Sequence, residues 1–120
     1  MTTIKSYTDL EQSKKLVEIL PLESADMGWN VFVDDTTRIL PIDDWNLVKD
    51  GRGNVKFYNA WSLAALLSVL DFPSLTQNKE DEWEVCVPNH QSDGYIEALA
   101  SNPIDACVAM IEKLHELKML

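Results

Sequence analysis

Apolar positions recur at a helical period near both ends of the chain and alternate with polar ones in between. Leu10, Val17 and Leu20, widened by Leu16 and Ile19, form one helical stripe, with Lys14, Lys15 and Glu18 on the wet side. Thr8 is placed to cap this helix, and Glu11 three residues on completes a capping box. Pro21 closes it, because a residue before proline is disfavoured in the α region. Residues 29–33, Trp-Asn-Val-Phe-Val, are aromatic and β-branched and lie between Gly28 and Asp34-Asp35, so they predict a strand. Residues 35–37 predict a turn into a second short strand over 38–40. Beyond Pro41, residues 45–49 and 55–58 flank Asp50-Gly51-Arg52-Gly53-Asn54, which predicts a hairpin.

The second helix, over residues 61–70, differs in kind. Leu63, Ala64, Ala65, Leu66, Leu67, Val69 and Leu70 leave it almost no polar face, and such a helix is normally enclosed on most sides. Pro73 ends it, and residues 74–82 predict a polar, acidic loop. Residues 83–87 form a strand with Trp83, Val85 and Val87 on one face and Cys86 on the other. Residues 89–94 turn the chain, tightest at Asp93-Gly94, and residues 95–99 return it as a hairpin arm. Asn102 then caps the last helix with Pro103 at its first position, where a missing N–H costs nothing. Ile104, Cys107, Val108, Ile111, Leu114 and His115 supply its stripe, and Glu112, Lys113 and Glu116 stay outside.

The two halves echo each other: a helix end, a polar loop, Trp-x-Val-x-Val at 29–33 or Trp-x-Val-x-Val at 83–87, then Pro-Ile-Asp at 41–43 or 103–105. A true duplication, with half-repeats of about 8–43 and 61–105, predicts helix–hairpin halves about a pseudo-twofold axis. It also predicts both tryptophans in one core. The fold class that follows is α+β, with three helices packed on an antiparallel sheet of hairpins in one domain over residues 1–120.

Length and composition sharpen this picture. A chain of 120 residues with 46% apolar content suits a single core rather than disorder. Twenty acids against ten bases give a net charge of −10, which leaves no basic surplus for nucleic-acid phosphates or an anionic membrane. The polar N-terminus lacks the apolar segment of a signal peptide, and the longest apolar run is about half of a membrane span. A cytoplasmic protein is expected, with Cys86 and Cys107 as reduced structural thiols.

Candidate chemistry is sparse. His90 has Asp93 and the acidic run Glu80, Asp81, Glu82 and Glu84 nearby, and His115 has Glu112, but neither shows metal-ligand spacing. Cys86 and His90 are close in sequence, yet no nucleophile motif surrounds them. Residues 50–54 lack the Gly-Lys-Ser/Thr ending of a phosphate loop. Asp34-Asp35 and Asp43-Asp44 form no calcium-loop pattern and read as solvated turns. No catalytic residue, metal or cofactor is therefore expected.

Residues 60–67, Ala-Trp-Ser-Leu-Ala-Ala-Leu-Leu, and residues 102–108, Asn-Pro-Ile-Asp-Ala-Cys-Val, resemble two signatures of a family of short bacterial proteins. The second signature continues through residues 110–117. The family sits in chromosomes, prophages and other mobile elements of gut anaerobes. The resemblance implies a bacterial or phage-encoded cytoplasmic protein and brings no activity with it. The leading expectation is a non-enzymatic acidic protein-interaction domain, with a protein partner or a homodimer through spare apolar helix surface. One alternative is an acidic decoy that stands in for nucleic acid on a basic DNA-binding protein. Another is a small hydrolase or cation-dependent enzyme built on His90 or Cys86.

Overall fold

The computed structural model describes residues 5–32, 36–41 and 54–120. Among these residues the fold is α+β, with three α-helices and two antiparallel three-stranded sheets. The chain divides into two compact units, Tyr7–Ser62 and Leu63–Leu120, the latter joined by Met1–Ser6. Each sheet belongs to one unit.

In the first unit, helix α1 (Leu10–Leu16) begins one residue later than Thr8 suggests. Asp9 is its cap, accepting from the Gln12 N–H, while the Gln12 side chain returns to the Asp9 N–H. Thr8 is buried instead, and its hydroxyl has other partners. Ser13 Oγ donates to the Asp9 carbonyl, so Thr8 Oγ1 donates to Ser13 at 2.8 Å and accepts from the Trp61 N–H at 3.1 Å. The helix also stops well short of Pro21. The N–H groups of Glu18 and Ile19 bond three residues back, to Lys15 and Leu16, which tightens the last turn. Leu16 and Leu20 are buried as expected, whereas Val17 faces solvent.

A short 3₁₀ turn (Leu22–Ser24) leads into strand β1 (Met27–Phe32), the centre of the order β2-β1-β3. Strand β2 (Thr37–Pro41) and strand β3 (Asn54–Ala60) flank it, and α1 packs on β3. The fully buried positions of β1 are Gly28, Asn30 and Phe32, not the Trp29 face that the Trp-x-Val spacing favours. Trp29 is half-buried, donates its indole N–H to the Thr8 carbonyl and meets Tyr7 edge to face. Residues 45–49 and the glycine-bearing turn at 50–54 fall mainly outside the described residues. Strand β3 takes β1 as its partner.

In the second unit, helix α2 (Leu63–Val69) is shorter than its apolar run, and Trp61 lies outside it. Ala65, Leu66 and Leu70 are buried, but Ala64 and Ser68 are exposed, so α2 has a wet side. It packs on helix α3 (Pro103–Glu116). The expected loop at 74–82 contains strand β4 (Ser74–Gln77), which pairs with strand β5 (Trp83–Pro88). Strand β6 (Tyr95–Ala100) lies on the other side of β5, giving the order β4-β5-β6. Val85, Val87, Ile96 and Ala98 are buried, and α3, with Ile104, Cys107, Val108, Ile111 and Leu114 buried, packs on β5 and β6.

Asn102 caps α3 by accepting from the Asp105 N–H, with Pro103 in the first turn. The helix ends in a Schellman motif: Met119 N–H bonds to the Leu114 carbonyl, and Lys118 N–H to that of His115. Lys118 occupies the left-handed position with φ 59°. His115 is exposed, off the edge of the apolar stripe where its spacing put it. No described helix is long and apolar enough to cross a membrane.

The internal echo is not confirmed as a repeat. Trp29 and Trp83 belong to different units, and Pro41 ends a strand where Pro103 opens a helix.

Candidate interaction face

The outer surface of the second sheet is built by register. Strand residues alternate faces, so one side of β4-β5-β6 carries the buried residues against α3 and the other faces outward. Pairing places Ser74, Cys86 and Glu97 in one row across all three strands. Thr76, Glu84 and Leu99 form the next row, and Pro88 with Tyr95 the row on the opposite side. Phe72, just before β4, stands beside them. Three large apolar side chains are exposed here: Phe72 at 81%, Tyr95 at 72% and Leu99 at 49%. Most exposed apolar residues occur singly and mean little, whereas a group around a recess marks a contact surface.

That recess has a volume of about 350 Å³ and is lined by Phe72, Ser74, Cys86, Tyr95 and Glu97. Phe72 holds a φ of 45°, a left-handed backbone that a bulky residue adopts at a cost of about 1–3 kcal/mol. The ring so placed buries little of itself. The preceding Asp71 carboxylate accepts a hydrogen bond from His90 Nε2, which ties this turn to the β5–β6 loop. At the far end of that loop Gly94 supplies φ 115°.

Polar chemistry on this face is acidic. The Cys86 thiol donates to Glu84 Oε1 at 3.2 Å. Burial pushes Cys86 up to about 11, helped by the Glu84 hydrogen bond and by the charges of Glu84 and Glu97, with a Ser74 hydrogen bond opposing. A thiol held neutral in this way is the reverse of an activated nucleophile. Among the described residues neither carboxylate has a cationic partner. The ligand atoms of Glu84, Cys86 and Glu97 lie within 4.8 Å of one another, so among the described residues these three could hold a metal ion. Doing so requires displacing the thiol proton.

The residues singled out from sequence are dispersed. His90 meets Asp71, and Cys86 meets Glu84, so the two form separate pairs rather than a thiol–imidazole dyad. Asp93 lies in the exposed β5–β6 loop. His115 Nδ1 is 3.3 Å from the Leu120 carbonyl at the end of α3. Both thiols are free, with Cys107 buried on α3 and Cys86 on the opposite face of the sheet. Of the acidic run, Glu84 belongs to β5, while Asn78 accepts from the N–H groups of Glu80 and Glu82 in the loop. Asp34-Asp35, Asp43-Asp44 and residues 50–53 lie outside the described residues.

Sequence reasoning passed over Phe72, Tyr95, Glu97 and Leu99 as site residues. A signal was present at Tyr95-Ile-Glu-Ala-Leu99: a strand whose outward positions include a tyrosine and a leucine puts apolar groups on a side that should be polar. No family model, curated protein or solved structure matches the chain.

Proposed function

We propose that this protein is a non-enzymatic interaction domain that holds an extended segment of a partner protein on the outer face of β4-β5-β6. The observation that supports it is the exposure of Phe72 and Tyr95 on the rim of a recess that Glu97 also lines, with exposed Leu99 on the same face of the sheet. The partner is basic, because the second unit carries ten acids against four lysines and the recess is lined by Glu97, with Glu84 beside it. The neutral, carboxylate-bound Cys86 and the separate His90–Asp71 pair give no support to a hydrolase. The acids of this unit are spread over the β4–β5 loop, the sheet and α3, which does not favour a nucleic-acid mimic. The resemblance to short bacterial and prophage proteins supports a role in a bacterial cytoplasm.

Selection of linear peptides from a random displayed library tests the reading. Peptides that bind the protein are expected to lose Phe72→Gly and Tyr95→Ala variants at least tenfold, a truncation cost typical of an aromatic anchor. Phe72→Gly is also expected to be no less stable than the parent in urea, because glycine removes the left-handed penalty and little packing is lost. Binders indifferent to both variants would overturn the reading. So would a chain that runs at twice its mass and becomes monomeric on Tyr95→Ala, since the face would then serve self-association.

A further inference from the structure

We infer that the recess between Phe72 and Tyr95 receives an arginine side chain of the partner segment, with its guanidinium on Glu97 and Glu84. The inference rests on the interaction reading above and names the group that the face selects. Three features converge. The recess is at the small end of ligand-site volumes, about 350 Å³, enough for one long side chain and too open for a sequestered metabolite. Its lining combines the two aromatic residues Phe72 and Tyr95 with the Glu97 carboxylate, a pairing that a planar cation satisfies well, and Glu84 stands just beyond the lining. The carboxylates of Glu84 and Glu97 come from adjacent strands and flank Cys86, with ligand atoms of all three within 4.8 Å. A guanidinium carries five donors in a rigid fork and can serve both carboxylates at once, whereas an ammonium is a compact and strongly hydrated point charge.

The protein leaves these two carboxylates without a cation of its own among the described residues. Cys86 does not fill the role, because its thiol is neutral and spends its proton on Glu84. Lys113 is close in the fold but is directed elsewhere: its ammonium donates to the backbone carbonyl of Glu97 at 2.9 Å. That bond occupies an acceptor on the outer edge of β6, and a lysine there guards the edge against strand pairing. The segment is therefore expected to lie across the face, with Leu99 and Phe72 contacting the residues on either side of the arginine.

The test uses the full chain and a blocked peptide Gly-Leu-Arg-Leu-Gly, alongside versions with citrulline or norleucine in place of arginine. Amide chemical shifts are followed during titration at low and high salt. The arginine peptide is expected to move the amides of Cys86 and Glu97 and to bind about tenfold tighter than either analogue, with the difference shrinking in salt. Glu97→Gln is expected to weaken the arginine peptide about fivefold and leave the norleucine peptide unchanged, its dispersed spectrum reporting an intact fold. Equal binding of all three peptides at this face would overturn the arginine assignment while the interaction reading stands. Arginine-specific shifts that fall elsewhere, or no shifts at all, would overturn the assignment too. The library selection then decides the broader reading on its own.

Discussion

Cys107 and Cys86 sit on opposite sides of the same sheet, and burial raises both thiols. Cys107, on α3 and fully buried, is pushed up to about 12 by desolvation alone. Cys86 reaches about 11 with help from its acidic neighbours. Both thiols are protonated in the folded and unfolded chain at neutral pH, so they add nothing to the pH dependence there. Above the ordinary value of 9.0 the unfolded thiols ionise while the folded ones keep their protons. The folded state then binds more protons, so stability falls as pH rises from 9 toward 12. Urea unfolding at pH 8 and pH 11 is expected to show this loss. Cys107→Ala is expected to lose less between the two pH values, by on the order of 2 kcal/mol. Lysine and tyrosine titration is common to both proteins and cancels in the difference. An identical loss in parent and variant would mean that Cys107 is not the buried proton holder.

At the scale of elements, β1 and β3 approach closely at Gly28 in the first sheet. A Cβ on Gly28 would lie 2.3 Å from the Phe57 ring, so the glycine is there to let an aromatic side chain cross the sheet surface. Gly28→Ala is expected to cost about 1–3 kcal/mol in urea unfolding, the usual range for overpacking. Phe57→Leu should recover part of that cost in the Gly28→Ala background, and strictly additive effects would show that the ring is not the obstacle. Elements of both units mark the limit of what local pattern reveals. Helix α3 was legible down to its Asn102 cap and Pro103, because cap, proline and stripe all agree within one segment. The start of α1 was misread because Thr8 and Asp9 can both cap. The choice falls to Asp9 once Thr8 is drawn to Ser13 and to Trp61, a residue 53 positions away. Strand β4 reads as loop in the sequence because Ser-Leu-Thr-Gln carries no apolar alternation, and its strand character comes from pairing with β5. The interaction face suffered the same blindness. Ser74, Cys86 and Glu97 are 12 and 11 residues apart in the chain, and only register brings them into one row.

For the molecule as a whole, the charge of −10 acts with opposite sign on folding and on binding. Like charges on a compact chain repel one another more than they do when the chain is extended, so the acidic excess works against the fold. Raising sodium chloride from about 0.01 to 0.3 M shortens the screening length from about 30 Å to well under 10 Å. The thermal midpoint is therefore expected to rise with salt. Local ion pairs do not reverse the sign, because the described ones are few: Lys14 with Glu11 is exposed and Lys5 with Asp105 is only partly buried. Association with a basic segment responds the other way, since the same screening weakens long-range attraction to Glu84, Glu97 and the surrounding acids. A salt series that follows the thermal midpoint and the arginine-peptide affinity in the same samples is expected to show one rising while the other falls. If both fall together, the surface charge is pinned by specific pairs rather than left as free excess, and the electrostatic argument for a basic partner fails with it.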